Sequence, residues 1–164
     1  IAVAWSIGEV SSQEVDKINI HNASLLAMKK AVDGLFSAVV IPSASEESLI
    51  AFKKVKGSLR SDAFGRDDTS GSAFVFVDGK FIIPNLALTQ EAVTGGDNKV
   101  LSIAAASIIA KVYRDKLMQK FDKQYPKYNL AQNKGYATEH HRAMVVKHGL
   151  TPIHRLSFCE NISV

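Results

Sequence analysis

The strongest constraint on the fold of this chain is one run, GDNKVLSIAAASIIAKVYRD, at residues 96–115. It begins in a glycine-rich acidic turn and continues into a helix whose first two turns are almost all Ala, Ile and Ser. Side chains this small allow close approach of two backbones, so the pattern predicts a helix that lies flat against a sheet. Asp97 stands on the turn that leads into this helix, where its carboxylate would be held in place. Taken alone, an acidic residue at such a point is most simply a turn residue or a helix cap.

The N-terminal part of the chain predicts a strand followed by a helix. Residues 1–7 alternate bulky with small side chains, which is the period-two pattern of a strand. Ser11 and Glu14 have the spacing of a capping box, so a helix is expected to begin there and to run to about Asp33. Gly34 is a natural stop for that helix.

The segment that follows is less regular. Its pattern predicts a short strand at 36–42, a short amphipathic helix at 46–55 and a polar loop at 57–72. The next run, FVFVDGKFII, places two β-rich stretches around Asp78 and Gly79. By itself this local pattern favours a tight hairpin.

The second half of the chain is mainly helical. A short strand at 91–94 leads into the acidic turn, and the small-residue helix extends from 101 to 125, where Pro126 prevents its continuation. A further helix is expected at 138–148, and the tail at 151–158 would form a short turn or helix. Because sheet elements come first and helices gather toward the end, the sequence predicts a mixed α/β domain.

Composition sets the class of protein. A chain of 164 residues with 46% hydrophobic content is long enough for one domain with a real core. No apolar stretch approaches the roughly 20 residues that a membrane span requires. The net charge of +4 and the pI of about 9.2 are compatible with a polyanionic partner. The single cysteine, Cys159, cannot form an internal disulfide and suits a reducing cytoplasm.

Two aspartates stand where carboxylates can bind a metal ion, because Asp78 and Asp97 each follow a sheet-like run and adjoin glycine. Phosphodiester hydrolysis by two metals needs carboxylates that converge on ions about 4 Å apart. Magnesium prefers oxygen ligands and keeps several waters, so one or two aspartates per ion suffice. From local pattern alone, turn roles remain the favoured interpretation of both aspartates. Imidazole is a poor magnesium ligand, so His141 and His154 are expected to cap, pack or contact phosphate.

Several motifs, in order along the chain, resemble those of the ribonuclease HII family. One such motif would be weak evidence, but motifs in register cover nearly the whole chain outside 36–72. The resemblance implies a ribonuclease H-like mixed sheet flanked by helices, with a helical C-terminal region. It also implies an endonuclease that uses Mg²⁺ or Mn²⁺ to cut the RNA strand of RNA–DNA hybrids, including single ribonucleotides embedded in duplex DNA. The motifs are Val77-Asp78-Gly79, Gly96-Asp97-Asn98-Lys99 followed by S-I-A-A-A-S, Ala110-Lys111-Val112 with Arg114-Asp115, Gly135-Tyr136-Ala137-Thr138 with His141, and Pro152-Ile153-His154-Arg155 with Ser157-Phe158.

The resemblance assigns roles to single residues. Asp78 and Asp97 would be the catalytic metal ligands, and Tyr136 would pack against the nucleotide at the RNA–DNA junction. The residues that contact phosphates would be Lys134, Lys111 and Arg155. From the residues alone, Tyr136 would instead pack over the nearby helix, and Lys111 is equally well a solvated helix residue.

The chain also departs from the family pattern. The motif D-E-A-G-R-G, which supplies two further carboxylates in the family, does not occur in it. We therefore expect a truncated start that lacks the first strands of the sheet, weak metal binding and impaired activity of these 164 residues alone. Residues 36–72 are expected to be an insertion, and residues 126–164 the helical substrate-binding region of a single domain at 1–164. The expected protein is a cytoplasmic monomer without a membrane partner.

Two alternatives to a nuclease stay open. The first is a non-catalytic module that binds RNA–DNA hybrids through its basic surface and Tyr136 and never assembles a metal site. The second is a structural α/β domain in which Asp78 and Asp97 only make turns.

Overall fold

The computed structural model describes residues 4–39 and 73–160. These residues form helices and a small sheet, which confirms the mixed α/β class. The helix expected at 46–55, the loop at 57–72 and most of the expected insertion at 36–72 lie outside the described residues. The elements are helix α1 (Ser12–Val39), strands β1 (Phe74–Asp78) and β2 (Thr89–Val93), and helices α2 (Leu101–Gln124), α3 (Leu130–Asn133), α4 (Glu139–His148) and α5 (Leu156–Cys159), with 3₁₀ turns at Gly96–Asn98 and Pro126–Tyr128.

The chain divides into two compact units, and both long helices contribute to each of them. The first unit contains the described residues within 1–9 and 24–106, including both strands. The second contains residues 10–23 and the described residues from 107 onward, including the three short C-terminal helices. The single domain expected from the sequence stays a prediction.

The start of α1 follows the predicted capping box. The Ser11 backbone N–H donates to Oε2 of Glu14 (2.9 Å), and the Glu14 N–H donates to the Ser11 hydroxyl (3.2 Å). The helix is broken at Asn19, which has φ 64° and ψ 164°. The Asn19 side chain accepts the N–H of Asn22 at 3.0 Å, so it caps the segment that follows the break.

Two expectations for the N-terminal region are wrong. Residues 4–10 form no strand, and α1 continues through Gly34 to Val39, so residues 36–39 are helical rather than extended. Close packing explains both, because a Cβ on Gly34 would lie 2.6 Å from Oγ of Ser6, and a Cβ on Gly8 would lie 1.9 Å from the Ala27 carbonyl oxygen. Because these two residues are glycines, the N-terminal segment can pack directly on the helix backbone. Gly34 therefore permits this contact and does not end the helix.

The sheet corrects the predicted hairpin. Strand β1 ends at Asp78 and pairs in parallel with β2, with Phe74 opposite Thr89 and Asp78 opposite Val93. The β2 strand confirms the one expected at 91–94 but begins at Thr89. The stretch after Gly79 is a connection instead of a second hairpin strand. Gln90 holds it, because its side-chain amide accepts the N–H of Ile83 (2.9 Å) and donates to the Ile83 carbonyl (3.1 Å).

The second unit has its own core, in which Tyr128, Leu130 and Val145 are almost completely buried. Helix α2 ends at Gln124, one residue before the predicted end at 125 and two residues before Pro126. Helix α4 confirms the helix expected at 138–148, and its N-terminus is capped by Thr138, whose hydroxyl accepts the N–H of His141. The residues packed around this core are Phe121, Tyr125, Met144 and Ile153.

Candidate functional site

Asp78 and Asp97 lie at the same edge of the small sheet. Asp78 is the last residue of β1, opposite Val93 at the end of β2, and the Gly79 N–H donates to the Val93 carbonyl at 3.0 Å. The chain leaves β2 and enters the 3₁₀ turn that contains Asp97 three residues later. Parallel strands end on the same edge of a sheet. This edge therefore carries two aspartates that are nineteen positions apart in sequence. We call Asp78, Gly96 and Asp97 the carboxylate edge.

Gly96 connects the two aspartates. Its backbone N–H donates to Oδ1 of Asp78 at 3.0 Å, and the residue itself is buried. A Cβ at this position would lie 2.5 Å from Cδ1 of Ile103 and 3.3 Å from Oδ1 of Asp78. Only glycine therefore lets the turn approach both the small-residue helix and the carboxylate. This geometry gives a physical reason for the G-D sequence before the helix.

Asp78 and Asp97 are both exposed at this edge. Oδ1 of Asp97 accepts the side-chain amide of Asn98 at 3.2 Å. Lys99 donates to the Thr94 carbonyl at 2.8 Å. Within residues 4–39 and 73–160, Oδ2 of each aspartate accepts no recorded hydrogen bond, so one oxygen of each carboxylate is available to a ligand.

The donor chemistry of this edge suits Mg²⁺ or Mn²⁺, which prefer carboxylate oxygens and retain waters. Three or more His, Cys, Asp or Glu side chains grouped to hold a metal are not found in the described part of the chain. The edge thus offers two carboxylates, a number that suffices for a hydrated magnesium ion.

Tyr136 is displayed on a tight turn in the second unit. Tyr136 is 68% exposed, so most of its surface is free of contact with the residues that the structure describes. The two preceding residues, Lys134 and Gly135, have φ of 53° and 76°. The Arg114 guanidinium donates to the Lys134 carbonyl at 3.2 Å. We call residues 133–136 the tyrosine turn; it brings Tyr136 and Lys134, two of the predicted nucleic-acid contacts, together.

The other two predicted phosphate contacts have different surroundings. Lys111 forms an exposed i,i+4 ion pair with Asp115 at 3.2 Å, as a solvated helix residue does. The guanidinium carbon of Arg155 lies 3.9 Å from the centre of the Phe158 ring, a cation–π contact. Burial lowers the pKa of Arg155 from its usual value, and Arg114 lowers it further. The carboxylate of Asp16 acts in the opposite direction on this pKa, so Arg155 already has an anionic neighbour.

Asp16 holds the segment that carries Arg155, a role that the sequence analysis missed. Its carboxylate accepts the backbone N–H groups of Leu156 (2.8 Å) and Ser157 (3.0 Å) and the Ser157 hydroxyl. These hydrogen bonds, led by that of the hydroxyl, hold the pKa of Asp16 below its usual value. The signal was weak, because an Asp five residues after a capping-box serine looks like any exposed helix residue.

Two histidines stack in the second unit. The rings of His141 and His154 are 5.3 Å apart at 20°, and His141 is buried. Nδ1 of His154 accepts the N–H of Thr151 at 3.0 Å, whereas its buried Nε2 has no recorded partner among the described residues. Burial, followed by the neighbouring His141, lowers the pKa of His154. Packing, one of the roles predicted for these histidines, is what the structure gives them.

Comparison with known proteins agrees with the motifs. The ribonuclease HII family model matches residues 67–161, more than half of the chain and a range that contains all six predicted site residues. Proteins named ribonuclease HII from Trichodesmium erythraeum, Bacteroides fragilis and Clostridioides difficile are 40%, 39% and 37% identical over 95%, 96% and 98% of the chain. The aligned regions are 59%, 62% and 50% of those relatives, so the chain spans between half and two thirds of their length. Among the described residues, every helix is too short or too polar to cross a bilayer.

Proposed function

Because the chain belongs to the ribonuclease HII family, we propose that the protein is an endonuclease that hydrolyses the RNA strand of RNA–DNA hybrids. Its substrates include single ribonucleotides embedded in duplex DNA, and its products carry 5′-phosphate and 3′-hydroxyl ends. The observation that carries the proposal is the hydrogen bond from Gly96 to Asp78, which joins the V-D-G strand end to the G-D turn. We further propose that it acts as a monomer in the cytoplasm.

The carboxylate edge supplies the metal ligands in this proposal. Asp78 and Asp97 would hold Mg²⁺ or Mn²⁺ through their Oδ2 atoms, which accept no hydrogen bond from residues 4–39 and 73–160. The Gly96 N–H fixes Oδ1 of Asp78, and so fixes the direction in which Oδ2 points. When bound, a pair of such ions activates a water for in-line attack and stabilises the leaving oxygen.

The second unit supplies the contacts to nucleic acid. Tyr136 offers an exposed ring on a fixed turn, and a ring in such a position can stack on a sugar or a base. Lys134 stands on the same turn. Arg155 meets a phosphate with its partly desolvated guanidinium. Lys111 makes the weakest contribution because Asp115 competes for its ammonium group.

The 164 residues by themselves are expected to turn over slowly. Two carboxylates share less of the charge of two metal ions than the larger acidic sets on which such sites depend, so metal affinity falls. For the 164-residue chain alone, we therefore expect that binding of the hybrid is retained while cleavage is slow.

The test is a single-turnover assay with protein in excess over a labelled DNA duplex that contains one ribonucleotide. Cleavage at the ribonucleotide should require Mg²⁺ or Mn²⁺ and should fall more than about a hundredfold in Asp78→Asn and Asp97→Asn, since even outer-shell partners of a metal cost up to that factor. Glu91→Gln is the matched control, because it removes one exposed carboxylate from β2 of the same sheet.

Three results are decisive. Metal-dependent cleavage that the two aspartate variants abolish supports the nuclease. Salt-sensitive binding of the hybrid with no cleavage at any metal concentration favours the non-catalytic binding module instead. Cleavage that survives in Asp78→Asn removes this residue from the mechanism.

A further inference from the structure

We infer that Asn133 is a positioning residue that sets the tyrosine turn, and that its buried side chain determines how Tyr136 meets the nucleic acid. This inference rests on the proposed function for its consequence in binding. Its structural part, that Asn133 holds the turn in place, can be tested on the protein alone. Asn133 is only 9% exposed, and its side chain makes contacts on both of its polar atoms.

The first contact is with the turn itself. Oδ1 of Asn133 accepts the N–H of Gly135 at 2.8 Å, and the backbone carbonyl of Asn133 accepts the N–H of Tyr136 at 2.9 Å. One residue therefore satisfies the backbone donors of both Gly135 and Tyr136. The orientation of the tyrosine backbone follows from where Asn133 is fixed.

The second contact is with the core of the unit. Nδ2 of Asn133 donates to the Tyr128 carbonyl at 2.7 Å, which ties the turn to the buried cluster around Tyr128. Nδ1 of His141 lies 3.3 Å from both Nδ2 of Asn133 and the Tyr128 carbonyl oxygen, so either tautomer of the imidazole completes one hydrogen bond. The amide thus bridges an exposed turn and a buried polar network.

The turn needs such a bridge because of its backbone. Lys134 and Gly135 are consecutive residues with positive φ, and the left-handed conformation is unfavourable for lysine because its Cβ comes too close to the following carbonyl oxygen. Gly135 also lies against Met118, since a Cβ on it would be 3.1 Å from the sulfur. A backbone of this kind persists only when its surroundings determine it, and the side chain of Asn133 is the element that bonds it from inside.

The experiment is a double-mutant cycle on binding. Affinity for a duplex with one ribonucleotide is measured by fluorescence anisotropy in EDTA for the wild type, Asn133→Ala, Tyr136→Ala and the double variant. Tyr136→Ala should weaken binding about 5- to 150-fold, the range for one base–aromatic contact. Asn133→Ala should weaken it by no more than that, and should have no further effect when Tyr136 is already Ala. Gln132→Ala, an exposed amide one residue earlier on α3, is the control and should bind as the wild type does.

Amide hydrogen exchange is the readout that does not depend on nucleic acid. In Asn133→Ala the amides of Gly135 and Tyr136 should exchange faster, while the amides of α4 keep their protection. Asn133→Asp is the second variant, because it keeps the acceptor for Gly135 and replaces the Nδ2 donor, which faces the Tyr128 carbonyl and His141, with a carboxylate oxygen. In that variant the Gly135 amide should stay more protected than in Asn133→Ala.

The outcomes distinguish the positioning role of Asn133 from the proposed binding of RNA–DNA hybrids. An effect of Asn133→Ala on binding that persists in the Tyr136→Ala background overturns the positioning role. Unchanged exchange at Gly135 and Tyr136 in Asn133→Ala overturns it as well, whatever the protein binds. Absence of any hybrid binding by the wild type contradicts the proposed function, and the exchange experiment then still decides whether Asn133 sets the turn.

Discussion

The carboxylate edge and the tyrosine turn are held in place by different means. At the carboxylate edge, the backbone N–H of Gly96 orients Oδ1 of Asp78. The turn can come this close only because Gly96 has no side chain. At the tyrosine turn, the buried side chain of Asn133 accepts the Gly135 N–H, and Nδ1 of His141 lies 3.3 Å from the amide nitrogen of that side chain. The carboxylate edge is thus fixed by close packing of the backbone, whereas the tyrosine turn is fixed by buried polar side chains.

The two regions should therefore be sensitive to different kinds of substitution. A site fixed by backbone approach fails on the addition of a single methyl group, because interiors are close-packed and the neighbours cannot retreat. A site fixed by buried side chains fails when a hydrogen-bonding partner is removed, since the remaining polar groups stay buried without one. The following predictions test this contrast, beginning with the largest effect.

Gly96→Ala should have the largest effect. The added methyl group meets Cδ1 of Ile103 at 2.5 Å and crowds Oδ1 of Asp78, so we expect a loss of about 1–3 kcal/mol in the free energy of unfolding together with loss of metal-dependent activity. Urea denaturation measures the first quantity, and the single-ribonucleotide assay measures the second.

Ile103→Val in the same protein provides the control. It removes Cδ1, which is the closest contact of the added methyl group, and leaves Cγ2 at 3.3 Å. The double variant should therefore recover most of the lost stability. A double variant no more stable than Gly96→Ala would show that steric contact with Ile103 is not the cause.

Tyr136 should show the opposite pattern, with loss of binding and no loss of stability. Because Tyr136 is 68% exposed, Tyr136→Ala should leave the unfolding midpoint unchanged while weakening hybrid binding by about 1–3 kcal/mol. Tyr136→Phe keeps the ring and should bind nearly as the wild type does. A drop in stability comparable to that of Gly96→Ala would show that the ring supports the fold.

His154 should make the second unit sensitive to mild acid. Its pKa is lowered in the folded state, so the unfolded chain binds the proton more readily, and stability should fall as the pH drops through 6.5, the usual value. His154→Phe keeps an aromatic ring in the stack and removes this titration. Thermal unfolding midpoints measured from neutral to mildly acidic pH should therefore decrease less in the variant than in the wild type. If the midpoints of the two proteins decreased equally with falling pH, His154 would not be the group that makes the second unit sensitive to acid.

Asp16→Asn should have the smallest effect. The pKa of Asp16 is depressed from 3.8 by its hydrogen bonds to Ser157 and Leu156, so the charged form adds stability above 3.8 that is lost as the pH falls through the folded value. The free energy of unfolding, measured by urea denaturation, should be slightly larger for the wild type than for the variant at neutral pH. The two values should converge in strong acid. A difference that does not change with pH would mean that the charge plays no part.

Local pattern was sufficient where one segment determines its own structure. The capping box at Ser11 and the end of α2 before Pro126 depend on residues within a few positions, and both are confirmed. The hairpin at Asp78 and the stop at Gly34 failed because the deciding partners, β2 and Ser6, are distant in sequence. Asn133 and Asp16 escaped notice for the same reason, since an amide or a carboxylate shows its role only through the backbone groups that it meets.

The most direct test of the account is whether Asp78 and Asp97 share one cation. Titration with Mn²⁺ followed by NMR detects even weak binding, because the paramagnetic ion broadens nearby amide signals. The account predicts that the signals of Asp78, Gly96 and Asp97 broaden first, and that Asp78→Asn removes this effect while Glu91→Gln retains it. Broadening centred on other acidic residues, or unchanged broadening in Asp78→Asn, would contradict it.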